Sequence, residues 1–147
     1  MSYYRRLLFE ILQAMATREY GEQAVKDAVA VYQHTVRESW EKIAAAHRDR
    51  GLERFYRHFF APEEGFEYVT VECSPHRLEV HVIRCKLAEE LRAMGCAGIG
   101  ERFYCDTDLV RIRTFNPGFQ LDRPRLLMRG DDRCVFVITD EGHRPQT

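Results

Sequence analysis

FEYVTVEC–SPH–RLEVHVIRC, Phe66–Cys85, is where the period of this chain changes. Val69, Val71 and Cys73 alternate with Tyr68, Thr70 and Glu72, and Leu78, Val80 and Val82 alternate with Glu79, His81 and Ile83. Successive side chains of a strand point to opposite faces, so this period of two reads as two strands. Ser74-Pro75-His76 lies between them as a turn, and the pair forms an antiparallel hairpin. Strand alternation would put His81 and Cys85 together on the second face of that sheet.

Upstream the period is helical. Tyr4, Leu7, Leu8, Ile11, Leu12 and Met15 recur at three and four, with Arg5, Arg6, Glu10 and Gln13 largely on the other side. Tyr20-Gly21 breaks this first helix. A second runs from about Glu22 to Arg50 with Val25, Ala28, Val29, Tyr32, Val36, Trp40 and Ile43 as its stripe and Gly51 as its stop. LERFYRHFF is a third helical piece, ending before Pro62. Aromatic residues at this spacing are read as scaffold.

Downstream, KLAEELRAMG forms a short helix with Leu87, Leu91 and Met94 inward and Gly95 as cap. Another covers about Glu101 to Arg113 and ends at Asn116-Pro117-Gly118. FQLDRPRLLM–RGDD–RCVFVIT reads as a second hairpin, where Gly130 permits positive φ and Pro124 marks an edge strand or bulge. EGHRPQT is a tail. Segregated elements of this kind predict an α+β fold: an antiparallel sheet from two hairpins, with long N-terminal helices and two short helices packed on it. One domain is expected over 1–147, with a helical half at 1–60 and an α+β half at 66–139 that carries the site.

Composition narrows the function classes. With 147 residues, 45% hydrophobic and 31% charged, the chain is an ordinary globular one. Its formal net charge of −1 gives no general pull toward nucleic acid or a membrane surface. MSYYRRLLFEILQAM has the basic-then-apolar order of a leader, but Glu10 and Gln13 interrupt it, so it reads as a helix of a cytoplasmic protein. Five cysteines at irregular spacing argue against a disulfide framework, and no CxxC pair occurs. GCAGIG lacks the spacing of a dinucleotide loop. A small-molecule substrate is the partner this profile suits, and a homo-oligomer stays open.

Three groupings carry chemistry. Glu101, Cys105 and Asp108 stand at offsets of four and three, one side of a regular helix. Asp108 suits a substrate amidine or amine, as a grip or a proton carrier. Cys105 as a nucleophile needs a positive neighbour, because a carboxylate one turn away raises a thiol pKa; His81, Arg123 or Arg125 are the candidates. In the second hairpin, Arg123 and Cys134 would lie on adjacent strands, and an arginine fork is the usual partner of a substrate carboxylate. If His81, Cys85, Cys105 and Cys134 converge, thiolates and imidazole would suit zinc; no spacing demands a metal or other cofactor.

These residues also carry a resemblance. RCKLAEELRAMG, then FYCDTD, Arg123 and RLLMRGDDRCVF over Cys85–Phe136 resemble the L-2-amino-thiazoline-4-carboxylic acid hydrolase family. That family has a Cys before a short helix, a CxxD helix, and a closing strand pair that ends G-x-x-x-C-x-F. This chain departs from it at Val135, often acidic there, and in the basic Arg111-Ile112-Arg113 stretch. The resemblance implies an α+β fold similar to vinyl-reductase-type ligand-binding domains. It also implies water addition to a cyclic amidine, opening the ring to a carbamoyl-cysteine-type product. Carried over position by position, it marks Cys105, Asp108 and Cys134, with Cys85 next. The expected protein is a small hydrolase of a non-peptide C–N bond. Cys105, Asp108 and His81 would be catalytic, and Arg123, Cys134, Cys85 and Glu101 would bind substrate. The alternative is a non-catalytic small-molecule-binding or thiol-based sensor domain.

Overall fold

The computed structural model describes residues 3–18 and 21–143. Tyr20 of the expected break and the tail residues 144–147 lie outside them. Helix α1 spans Tyr3–Ala16, α2 Gly21–Ala45 and α3 Leu52–Phe59, followed by strands β1, Phe66–Cys73, and β2, Arg77–Cys85. Then come α4, Lys86–Ala93, α5, Ala97–Gly100, a π-helical segment Glu101–Cys105, and α6, Thr107–Phe115. Strand β3, Phe119–Asp122, a 3-10 turn Leu127–Arg129 and strand β4, Cys134–Asp140, complete the sheet. The fold is α+β.

The four strands form one antiparallel sheet in the order β1-β2-β4-β3. The first hairpin closes as its alternation predicts, with the Ser74 amide donating to the Arg77 carbonyl at 2.9 Å. One sheet face packs on helices through Leu78, Val80, Val82, Phe136 and Ile138, together with Trp40, Phe55 and Phe115. The other face is open, and Val69, Val71 and Ile83 are exposed on it. A second apolar cluster, built on Phe9, Leu12, Val25, Leu91, Ile99 and Phe103, joins α1 and α2 to α4 and the π segment. Tyr32, Cys85, Cys105 and Leu127 pack against both clusters, at the seam between them.

Four local readings are corrected. In α1, Phe9 and Leu12 are buried, while Leu7, Leu8, Ile11 and Met15 of the expected stripe are exposed. Phe9 sets the rotation, because its ring packs edge-on to Phe103 at 5.5 Å and beside Tyr104 at 5.7 Å. Helix α2 stops at Ala45, and Gly51 caps the start of α3 instead. The second hairpin has no tight turn. Its ladder ends at Asp122↔Val137, just before Pro124, which has no N–H to continue it. The chain then makes an excursion that closes on itself. Leu126 N–H donates to Asp131 Oδ2 at 2.7 Å, and Gly130 takes the positive φ of 98° foreseen for it. Arg123 therefore follows β3 instead of lying on it. Finally, the helix expected from Glu101 is interrupted: the Asp106 amide bonds the Glu101 carbonyl five residues back, and the Thr107 hydroxyl captures the Phe103 carbonyl at 2.5 Å.

Candidate active site

A cavity of about 530 Å³ opens at the seam of the two clusters. Cys85, Cys105, Asp108 and Cys134 all line it. Each reaches it by a different local device. Cys105 and Asp108 stand three apart across the π-to-α junction and share the face turned inward. Cys134 begins β4, and its sulfur accepts a hydrogen bond from the Leu127 amide at 3.3 Å.

Cys85 arrives through a β-bulge. Arg84 pairs with Glu67 and Val82 pairs with Tyr68, so Ile83 is an extra residue on β2. The extra residue reverses the alternation and swings Cys85 onto the buried face of Val82. His81 keeps the opposite face. There its Nε2 meets Glu79 Oε1 at 2.7 Å, and it does not line the cavity. The expectation that His81 and Cys85 share a face is overturned by that single inserted residue, and with it the placement of His81 as base for this site.

Two further expectations change. Glu101 does not line the cavity; it pairs with Arg129. The Glu101 side chain turns instead to Arg129 in the 3-10 turn that packs beside the π segment. Arg123 lies behind the wall, 11% exposed, with Nη1 donating to Asp108 Oδ2 at 3.1 Å and to the Cys105 carbonyl at 2.5 Å. Its guanidinium also sits 5.6 Å over the ring of Phe136. It holds the site's carboxylate and carbonyl in place.

The guanidinium that lines the cavity beside Asp108 is that of Arg111. It donates to Asp108 Oδ1 at 3.0 Å from the other side and reaches the Tyr32 hydroxyl at 3.4 Å. Arg111 belongs to the stretch read from sequence only as a departure in polarity. Its spacing of three from Asp108 was the available signal. Arg5 and Lys86 also line the cavity, and neither was foreseen as a site residue.

Burial governs the ionisation of these groups. It pushes the Asp108 carboxyl up to about 6, against the opposing pull of Arg111 and Arg123. The Cys105 thiol is pushed far up, first by burial and then by the Asp108 charge, with Arg123 opposing. Cys134 is pushed up to about 11 by burial, although the Leu127 amide favours its thiolate. Cys85 also rises through burial, offset in part by the amides of Ala88 and Leu87 at the start of α4. The wall thus presents neutral thiols beside a carboxyl that titrates near neutral pH, an arrangement able to move a proton.

The zinc expectation meets a geometric obstacle. Among the described residues, no group of three or more His, Cys, Asp and Glu side chains is arranged to hold a metal ion. The imidazole such a site would draw on is across the sheet. Among the described residues, too, no helix is long and apolar enough to cross a membrane.

The family model of L-2-amino-thiazoline-4-carboxylic acid hydrolase matches residues 2–138, taking in the N-terminal helices as well as the cavity. No curated protein and no solved structure matches the chain.

Proposed function

The chain belongs to the L-2-amino-thiazoline-4-carboxylic acid hydrolase family, and from that premise we propose that it hydrolyses a ring C–N bond of a cyclic amidine derived from an amino acid. The observation that carries the reading is Asp108: a carboxyl lifted to about 6, held between Arg111 and Arg123, in a cavity with three thiols.

An amidine carbon is electrophilic, most of all when its nitrogens carry a proton. Asp108 complements that positive charge and accepts the proton of a water whose oxygen bonds to the carbon. The adduct then reopens. The ring C–N bond breaks, its electron pair leaves with nitrogen, Asp108 returns the proton there, and the adduct's hydroxyl proton passes to the freed amine, making it an ammonium, as the C=O forms. The product is a carbamoyl compound bearing the freed amine. One water is consumed, and Asp108 ends as it began.

The upward push on the Cys105 thiol favours water over sulfur as the attacking group. Cys105 lines the attacked carbon as a neutral S–H. Arg123 acts through Asp108 as a positioning residue.

Asp108→Asn is expected to lower kcat/KM for thiazoline carboxylate by about a hundredfold or more, the usual scale for a positioned proton carrier. Cys105→Ser is expected to lower it by less than about tenfold. Wild-type turnover by Asp108→Asn would refute the assignment of Asp108. A covalent substrate adduct on Cys105, trapped by acid quench and seen by mass spectrometry, would refute the water route.

A further inference from the structure

The cavity is much larger than the reaction needs. Its volume of about 530 Å³ is within the range of about 300–1,000 Å³ usual for a small-molecule site. A five-membered ring with one carboxylate fills a small part of that. The surplus is bounded by rings: Trp40, Phe59, Phe66 and Phe136 all line the cavity. None of them carries a group that could give or take a proton at the reacting carbon.

Three of these rings, Trp40, Phe59 and Phe136, form a continuous row along the cavity. Trp40 contacts Phe59 at 6.1 Å between centroids, and Phe59 contacts Phe136 edge-on at 5.9 Å. Phe136 carries the guanidinium of Arg123 on its face, and that guanidinium holds Asp108 at 3.1 Å. Phe136 and Asp108 both line the cavity, and Arg123 behind the wall touches both, so the row of rings ends near Asp108. At the polar end, Arg111 spends one N–H on Asp108 and one on Tyr32, and a guanidinium has five. Donors remain there for a carboxylate. Charged side chains line the rest of the cavity, Arg5, Glu63, Glu64, Lys86 and Glu90 among them, so the row of rings is its apolar part and suits an apolar substituent on a ligand that is otherwise polar.

Resting on the hydrolase reading above, we infer that the substrate is a cyclic amidine acid bearing an aromatic or branched apolar substituent. That substituent seats against Trp40, Phe59 and Phe136, and Arg111 takes the carboxylate. The bare thiazoline carboxylate is then a minimal substrate of this chain.

Two compounds test this: 2-amino-thiazoline-4-carboxylate and its analogue with a phenyl group on the ring carbon next to sulfur. Trp40 is the only tryptophan of the chain and lines the cavity, so its fluorescence reports occupancy. Titrated into the Asp108→Asn variant, the phenyl compound is expected to bind at least about tenfold more tightly, the low end of what burying an aromatic group is worth. On wild-type protein its kcat/KM is expected to be higher by at least about the same factor. Phe59→Leu, which keeps an apolar side chain in the core, is expected to cut that preference by about threefold or more.

Equal or weaker binding of the phenyl compound overturns the inference, and hydrolysis of the bare ring would leave the hydrolase reading standing. If neither compound is turned over while the binding preference holds, the apolar seat stands and the hydrolase reading falls.

Discussion

Asp108 is pulled in opposite directions by burial and by two guanidiniums, and burial wins. The sign of that balance makes two predictions. As the proton acceptor, Asp108 is active when ionised, so kcat/KM should rise with pH through an acid limb near pH 6. Arg123 is one of the groups holding the value down, so Arg123→Met should move that limb upward, whereas a purely structural loss would lower the plateau without shifting it. For stability, the folded carboxyl binds protons more tightly than the unfolded one. Between about pH 4 and about pH 6 the native state holds the extra proton, and stability falls as pH rises through that window. Wild-type protein should therefore gain roughly 2–3 kcal/mol at most, relative to Asp108→Asn, on going from about pH 7 to about pH 4. Urea denaturation at the two pH values measures it, and a flat difference would contradict the buried, raised carboxyl. The pair Cys105 and Asp108 was legible at this scale because a spacing of three survives the junction into α6. Arg111 was equally legible at three beyond Asp108, but it was read only as a departure from the family pattern. Arg123 was readable as a site arginine, though not which acid it serves.

At the level of elements, α1 illustrates how periodicity underdetermines a face. Leu7, Leu8, Phe9, Ile11 and Leu12 surround most of the helix, so an apolar stripe can be drawn more than one way. Contact with Phe103 and Tyr104 selects the side bearing Phe9 and Leu12. Phe9→Ala is expected to cost about 3–5 kcal/mol in urea denaturation, the range for deleting a buried aromatic ring. Leu8→Gln should stay within about 0.5 kcal/mol, as surface changes do; a large loss at Leu8 would mean the rotation is wrong. The same lesson holds in β2. Alternation correctly identified the strand and the inward Leu78, Val80 and Val82, but the bulge at Ile83 inverted everything after it. In the π segment, the Glu101 side chain turns to Arg129 and away from the cavity. The bulge is a single-residue insertion in a regular repeat, and no residue type announces it.

In the whole molecule, the cavity lies where two separately packed clusters meet, and the cysteines sort accordingly. Cys73 is exposed, Cys96 and Cys134 are buried, and Cys85 and Cys105 are half-buried at the seam. Iodoacetamide added to native protein should modify Cys73 first and leave Cys96, Cys105 and Cys134 until the chain is unfolded, as mass spectrometry of the digested protein would reveal. Labelling of Cys105 as fast as Cys73 would mean an ionised thiol and would reopen sulfur as the attacking group. The sequence by itself determined the α+β layout, the first hairpin, the inward stripe of α2 and the family to which the chain belongs. Each of these rests on local periodicity or on residues close together in the chain. Only the tertiary structure decided which face of α1 is buried, that His81 and Cys85 part company, that Arg123 stands behind the wall while Arg111 lines it, and that aromatic scaffold also bounds the cavity. Those outcomes depend on packing between elements distant in sequence, where one inserted residue or one large ring changes the direction of every side chain that follows.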